Sequence, residues 1–536
     1  VTRQWKTFGK LIQWVMFRSK TPPPACPQDF PGYWHATADP RVLPKFWGDL
    51  VPWLKIVFGP GHIDKDIATR VSAFTSIRGF PPGGEKTRAK ALEEHFELAT
   101  KGHFQVSPER ESILMKVSGF IARVVKDSPG FKPGSSNAHL SLTSNASLDS
   151  TIDEGGRAAE IRRGYASWIQ QVPEADEQGI TWFGKPYLKV AGVPLWRTMC
   201  RKEVLAAPPH AEAGESSENL ELDFEDFRLE DPIYALDEIT GYTLLQWSIE
   251  EGLRLKVLLG DSYSKDDTSV PLSVNPRCPA AVRSVSIGEP GAKARVVTVG
   301  EAWLALVLQP FSHHVIGRLR EHGSCAMGLS RAYMMFEYVK RMAYASVPEP
   351  KSRYFLSSDL KTATDYCSHR VSAILLEGFL RGLGDWNVYT RMCTQLLCGP
   401  RLYEKDGTST RTVRGIWMGD PGSKAVLTLT NLAAETESFL LHMNGLSVHA
   451  TDAEILSCID QVTAQPLAGW RRFACAGDDH FAVGPIRYLR GITHTHLKNG
   501  MQVSSSLNFI SRRGGKFCEE FLVADLIPAE KLWGSK

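Results

Sequence analysis

The sequence predicts an α+β protein whose chemistry lies in its second half. Two observations carry the expectation. From about Val274 onward, short apolar runs alternate with helical stretches and polar turns. Within that half, Phe473–Ala476 and Phe481–Val483 flank Gly477, Asp478, Asp479 and His480, the pattern of an antiparallel hairpin with a tight turn.

The elements follow in chain order. Trp5–Arg18 reads as a short basic amphipathic helix, either a packing arm or a contact to RNA or membrane. Residues 84–127 carry a helical pattern over Leu92–Leu98 and Ile113–Val125. A Ser/Asn/Gly-rich loop runs from Ser128 to Gly156. Nine acids stand against Arg228 alone between Glu212 and Asp231. The segment carries −8 in a chain of +3, which leaves +11 elsewhere. That segment is expected to be a linker or surface insert, and the positive remainder could gather phosphates in a groove.

Composition narrows the class. With 536 residues, 43% hydrophobic and 23% charged, the chain is globular and long enough for several folding units. Disorder, collagen and coiled coil are excluded. Ten cysteines are scattered without a C-x-x-C pair, which argues for reduced thiols over zinc or a disulfide scaffold. There is no run of 18 apolar residues, so no transmembrane helix is expected, and no signal peptide is visible. The chain starts at Val1, which reads as trimming or a partial sequence.

Four segments carry candidate chemistry. Tyr354–Leu356 is a short strand signal. Asp359 falls just past its end, and Asp365 precedes a helical segment, Val371–Leu380. Asp478 and Asp479 at the hairpin tip repel each other unless a cation lies between them. Three carboxylates at strand ends suit Mg²⁺, a hard ion that takes oxygen ligands. A pair of such ions serves nucleotidyl transfer. Arg414–Leu441 opens with a bent loop through Gly415, Gly419, Pro421 and Gly422. Ser423 then stands as a candidate N-cap for a helix with Val426, Leu429, Ala433 and Leu440 on one face. In Ile287–Trp303, Lys293 and Arg295 alternate along a strand-like run and share a face, where two cations could hold a triphosphate.

In this order the segments K-A-R, D-x5-D, G-D-P-G-S and G-D-D resemble the shared motifs of viral RNA-dependent RNA polymerases. The wording G-I-W-M-G-D-P-G-S-K and A-G-D-D-H-F-A-V-G-P most resembles ourmia-like (botourmiavirus) replicases, relatives of narnaviruses and mitoviruses. The motif region covers roughly Pro276–Phe521. The resemblance implies a right-hand fold of fingers, palm and thumb, with an antiparallel palm sheet and a helical N-terminal extension. Residues 1–270 would be that extension and part of the fingers, with the acidic insert near 210–231. Residues 271–350 would be fingers with the NTP-contacting strand, 351–485 palm, and 486–536 the end of the palm with a reduced thumb.

The resemblance also implies roles. Asp359 and Asp478 would bind two Mg²⁺ ions, with Asp479 assisting and Mn²⁺ as a substitute. Asp365 would sense the ribose 2′-hydroxyl, with Ser423 and Asn431 at the same check. Gly419 and Gly422 would let the loop move, while Lys293 and Arg295 would hold the triphosphate. Lys516–Glu520 resembles a strand beside the primer grip, and Lys498 or Lys516 is a candidate general acid for pyrophosphate. Partners would be RNA template and product, NTPs, and a second chain if the thumb must be completed from outside. Part of residues 1–270 is expected to wrap the core. The implied setting is intracellular in an infected host, with the cytoplasm ahead of the mitochondrion. Two other readings stand beside it: a non-catalytic RNA-binding or assembly protein on the same scaffold, and a reverse transcriptase.

Overall fold

The structure is a computed structural model. It describes residues 82–102, 104–132, 140, 142–143, 145–171, 181–182, 185–186, 238–260, 272–289, 293–326, 328–329, 354–459, 471–504, 508–512, 514–518 and 520–523. The predicted basic helix at Trp5–Arg18 and the acidic segment 212–231 lie outside these residues.

The fold is mixed helix and strand. Its helices are α1 Glu85–Thr100, α2 Pro108–Lys126, α3 Gly156–Gln171, α4 Glu238–Arg254, α5 Ala302–Arg320, the single turn α6 Ala363–Tyr366, α7 His369–Leu383, α8 Val388–Cys398, α9 Ser423–Met443, α10 Asp452–Ile459 and α11 Ile486–Lys498. Two small hairpins come first among the strands: β1 Thr181–Trp182 with β2 Lys185–Pro186, and β3 Leu258–Gly260 with β4 Leu272–Val274.

One four-stranded sheet contains β5 Ala281–Glu289, β6 Lys293–Gly300, β8 Leu402–Lys405 and β9 Thr408–Arg411, in the order β6-β5-β8-β9. The β5–β8 pair is parallel and the other two pairs are antiparallel. The second sheet is wholly antiparallel. It contains β7 Tyr354–Asp359, β10 Arg472–Ala476, β11 Asp479–Gly484 and β12 Phe509–Ser511, in the order β10-β11-β7-β12. A final hairpin joins β13 Gly514–Phe517 to β14 Glu520–Val523.

Local chemistry sets the helix ends. The Ser107 side chain caps α2 by accepting from Arg110 N at 3.1 Å. Pro108 opens the helix, Glu109 and Glu111 stand in its first turn, and Arg123 and Lys126 in its last. One stripe of α2 is buried, including Ile113, Leu114, Val117, Ile121 and Val125. That stripe packs against α7, which Ser368 caps and Gly384 ends at φ 86°. Residues of α2, α3 and α4 share one apolar core with α5, α7, α9 and the second sheet. Helices α2, α3 and α4 are therefore part of the body that carries the motifs.

Two local expectations change. Helix α9 was expected to bury one face, but Ala425 through Leu441 is buried on every side. It runs through the middle of the body, and its polar side chains find partners there. Ser423 was expected as the N-cap, yet Gly422 takes that position at φ 101° and Ser423 is the first helical residue. Its hydroxyl donates backwards, to Trp417 O at 2.5 Å and Asp420 O at 2.9 Å, so it ties the loop instead of accepting from the helix.

Candidate active site

The second sheet brings together carboxylates that lie far apart in the chain. In the β11–β7 register Asp479 is the direct cross-strand partner of Asp359, and Phe481 that of Ser357. Directly opposed residues project to the same side of a sheet, so these four share a face. The β10–β11 turn is the pair Gly477–Asp478, closed by Ala476 opposite Asp479. Gly477 has φ 67°, which a two-residue turn with glycine in first place requires. Asp478 is exposed, while Asp359 and Asp479 are half-buried.

The turn hangs from helix α9. Gly477 N donates to Thr428 Oγ1 at 3.0 Å, and Gly477 O accepts from Asn431 Nδ2 at 2.6 Å. Both polar groups of the glycine are thus held by side chains one helical turn apart. Asn431 is fully buried, so it lies beneath the turn and not at a sugar-accessible surface.

Over the acid face sits the β13–β14 hairpin. Ser357 Oγ donates to Lys516 O at 2.8 Å. Cys518 stands at the hairpin tip with φ 48°, hydrogen-bonded to Asp479 and close to Lys424. Burial and the Asp479 charge push its thiol pKa up. The expected single strand over Lys516–Glu520 is therefore split between two, with Lys516 and Phe517 ending β13 and Glu520 opening β14. Exposed Lys424, in the first turn of α9, also passes Gly477. Lys498 is committed elsewhere: its ammonium donates to Ala450 O at 2.5 Å and faces Asp452 at 3.5 Å.

The 414–423 loop links the two sheets. Gly419 N donates to Thr298 Oγ1 of β6 at 3.0 Å. A Cβ at Gly419 would stand 2.0 Å from Thr298 O, so only glycine permits the approach. Asp420 is buried and held by Arg401 Nη2 at 2.6 Å. Gly415 N and Ile416 N donate to Cys367 O and Thr364 O, both at 2.9 Å, which pins the loop to α6 and its Asp365. Burial raises the Asp365 pKa against the opposing influence of His95.

Lys293 and Arg295 are both exposed on β6, at alternate positions of one face. Arg295 Nε pairs with Glu289 Oε1 at 2.6 Å. They belong to the first sheet, whereas the aspartates belong to the second. Sequence reasoning missed Lys424, Asp420, Arg401 and His95. The first two lie inside the quoted motif G-D-P-G-S-K. The other two have no local signal, because their partners are distant in the chain.

Asp359, Asp479 and the adjacent Asp478 offer hard carboxylate oxygens, and like charges on opposed positions gain from a cation. The chemistry of the set fits Mg²⁺. Among the described residues, no three His, Cys, Asp or Glu side chains are already drawn around one point. Nor is any helix among them long and apolar enough to cross a membrane.

Neither a protein-family model nor a curated protein sequence matches the chain. Among solved structures it is similar to an insertion-loop deletion mutant of the RNA-dependent RNA polymerase of a human picobirnavirus. That match has 11% identity and a TM-score of 0.42, and covers 90% of this chain and 72% of that one. It is also similar to the BmCPV RNA-dependent RNA polymerase at elongation state, with 9% identity and a TM-score of 0.34, over 46% of this chain and 21% of that one.

Proposed function

We propose that the chain is an RNA-directed RNA polymerase that replicates a viral RNA genome. The observation that carries the reading is the β7–β11 register, which makes Asp359 and Asp479 direct partners beside the exposed turn residue Asp478. In the reaction a strand's 3′-hydroxyl attacks the α-phosphate of an NTP, and pyrophosphate leaves. Asp359, Asp478 and Asp479 would hold Mg²⁺, which when bound supplies charge stabilisation at the phosphate and acidifies the attacking hydroxyl.

The chain's own residues do the remaining work. Lys293 and Arg295 share an exposed face suited to the triphosphate. Asp365 accepts a hydrogen bond from the ribose 2′-hydroxyl. Gly419 and Ser423 shape the loop that joins the triphosphate strand to the aspartates. Thr428 and Asn431 hold the turn from below. On this reading the partners are RNA template and product with NTPs, and the setting is the cytoplasm of an infected host cell. The wording of the motifs favours an ourmia-like replicase within that class.

The test is primer extension on an RNA template with four NTPs and Mg²⁺. The reading expects product from the wild-type chain and none from Asp478→Ala at an unchanged unfolding midpoint. Full activity in the variant would remove the assignment. RNA binding by a wild-type chain that makes no product would move it to the scaffold reading.

A further inference from the structure

Asp365 sits where three elements meet, and one of them comes from the N-terminal part of the chain. His95 of α1 is 5% exposed, and its Nε2 lies 3.6 Å from Asp365 Oδ1. Its other nitrogen, Nδ1, is 3.0 Å from Tyr403 Oη on β8. Trp417 of the 414–423 loop packs against the ring, with centroids 5.9 Å apart at 67°. Thr364 Oγ1 donates to the same Asp365 Oδ1 at 3.0 Å. The carboxylate still exposes 16% of its side chain.

The proton positions follow from the partners. Tyr403 can donate to Nδ1, and burial pushes its pKa up to about 12, so it keeps its proton. Burial lowers the His95 pKa against the pull of Asp365 and so favours the neutral ring. A neutral ring that accepts at Nδ1 carries its own proton on Nε2, the atom facing Asp365. The acid itself stands on a single helical turn, α6, behind Thr362 at φ 38°. Within that turn Thr364 already holds one carboxylate oxygen, and the imidazole on a long helix stands beside the same oxygen from outside the turn.

We propose that His95 is the positioning residue for Asp365, holding that carboxylate in the orientation that meets the sugar of an incoming nucleotide. In this role it sets the preference for ribonucleotides over deoxyribonucleotides. The inference rests on the polymerase reading and deepens it. The same helix also reaches the triphosphate strand, since Gly83 N, just ahead of α1, donates to Lys293 O at 2.9 Å. One N-terminal element therefore touches both the sugar check and the phosphate strand.

The experiment is single-nucleotide incorporation on an RNA primer–template with CTP or 2′-deoxy-CTP, for wild type, His95→Gln, His95→Asn and Tyr403→Phe. A glutamine amide nitrogen can take the place of Nε2 and present its N–H toward Asp365, whereas asparagine reaches only the place of Nδ1. His95→Asn is expected to lower the CTP to deoxy-CTP ratio of kcat/KM by about tenfold, through a higher KM for CTP with deoxy-CTP unchanged. His95→Gln keeps the ratio within about threefold of wild type, and Tyr403→Phe falls between. An unchanged ratio in His95→Asn, or an equal loss for both nucleotides, overturns the inference. Should that variant fail to fold, Tyr403→Phe decides: a lowered ratio supports the inference and an unchanged one overturns it. If the wild-type chain incorporates neither nucleotide, the polymerase reading fails and takes the inference with it. If wild type polymerises and the ratio ignores these variants, only the inference falls.

Discussion

The two faces of the β10-β11-β7-β12 sheet treat neighbouring residues in opposite ways. Asp479 and His480 are adjacent on β11, yet Asp479 is half-buried beside Cys518 and His480 is fully buried. Alternation along a strand sends one to each side. On the far side α9 and α11 seal the sheet, and the acids there are matched with arginines. Arg471 grips Glu435 through two bonds of 2.7 and 2.6 Å, and Arg110 grips Glu437 through two of 2.8 and 2.6 Å. On the near side Asp479 faces Asp359 across the strands, and Asp478 stands exposed at the adjoining turn. The closed face uses charge to hold helices in register, and the open face leaves Asp478 exposed to solvent.

The open face should give the largest effect. Asp359→Asn is nearly isosteric, so a drop in nucleotide incorporation of at least about a hundredfold, with the unfolding midpoint held, is expected in a single-turnover assay. The closed face should respond in stability instead. Arg471→Ala leaves Glu435 buried beside Tyr488, and denaturant unfolding should show a loss of about 3–5 kcal/mol. Asn431→Ala joins the two, since it removes the donor to a buried carbonyl under the turn. A cost of about 1–3 kcal/mol is expected in denaturant melts, accompanied by slower incorporation.

A pH series sharpens the contrast further. Burial, reinforced by the neighbouring His480 ring, holds the His496 pKa well below the ordinary imidazole value. The unfolded chain takes up that proton below about pH 6.5 and the folded chain does not, so stability falls as pH drops. This group adds about 1.4 kcal/mol per pH unit to the slope, and His496→Phe should lower the slope by that amount while the similarly buried His480 keeps its own share. An equal slope in both proteins would separate His496 from the effect.

Much of the second half was legible in the sequence. A hairpin between Phe473–Ala476 and Phe481–Val483, a strand at Tyr354–Leu356 and a helix over Val371–Leu380 announce themselves through local pattern and turn chemistry, and each runs longer than expected: β11 begins at Asp479, β7 reaches Asp359 and α7 spans His369–Leu383. Lys293 and Arg295 share an exposed face as their spacing suggested. Other features depend on contacts that local pattern does not encode. Helix α9 shows an apolar stripe in sequence, but its buried acids are matched by arginines from α2 and from just ahead of β10. The expected sugar-facing role of Asn431 ignored that a buried carbonyl, Gly477 O, needed a donor. His95 carries no motif at all, and only the docking of α1 beside α6 brings it to Asp365.

The central claim is that Asp359, Asp478 and Asp479 act together as one cation-holding edge. Titration of Mn²⁺ followed by electron paramagnetic resonance tests it directly, comparing the wild-type chain with Asp359→Asn and Asp479→Asn. Each variant is predicted to bind at least about tenfold more weakly, a loss of about 1.4 kcal/mol. Wild-type Mn²⁺ affinity in both variants would contradict the claim.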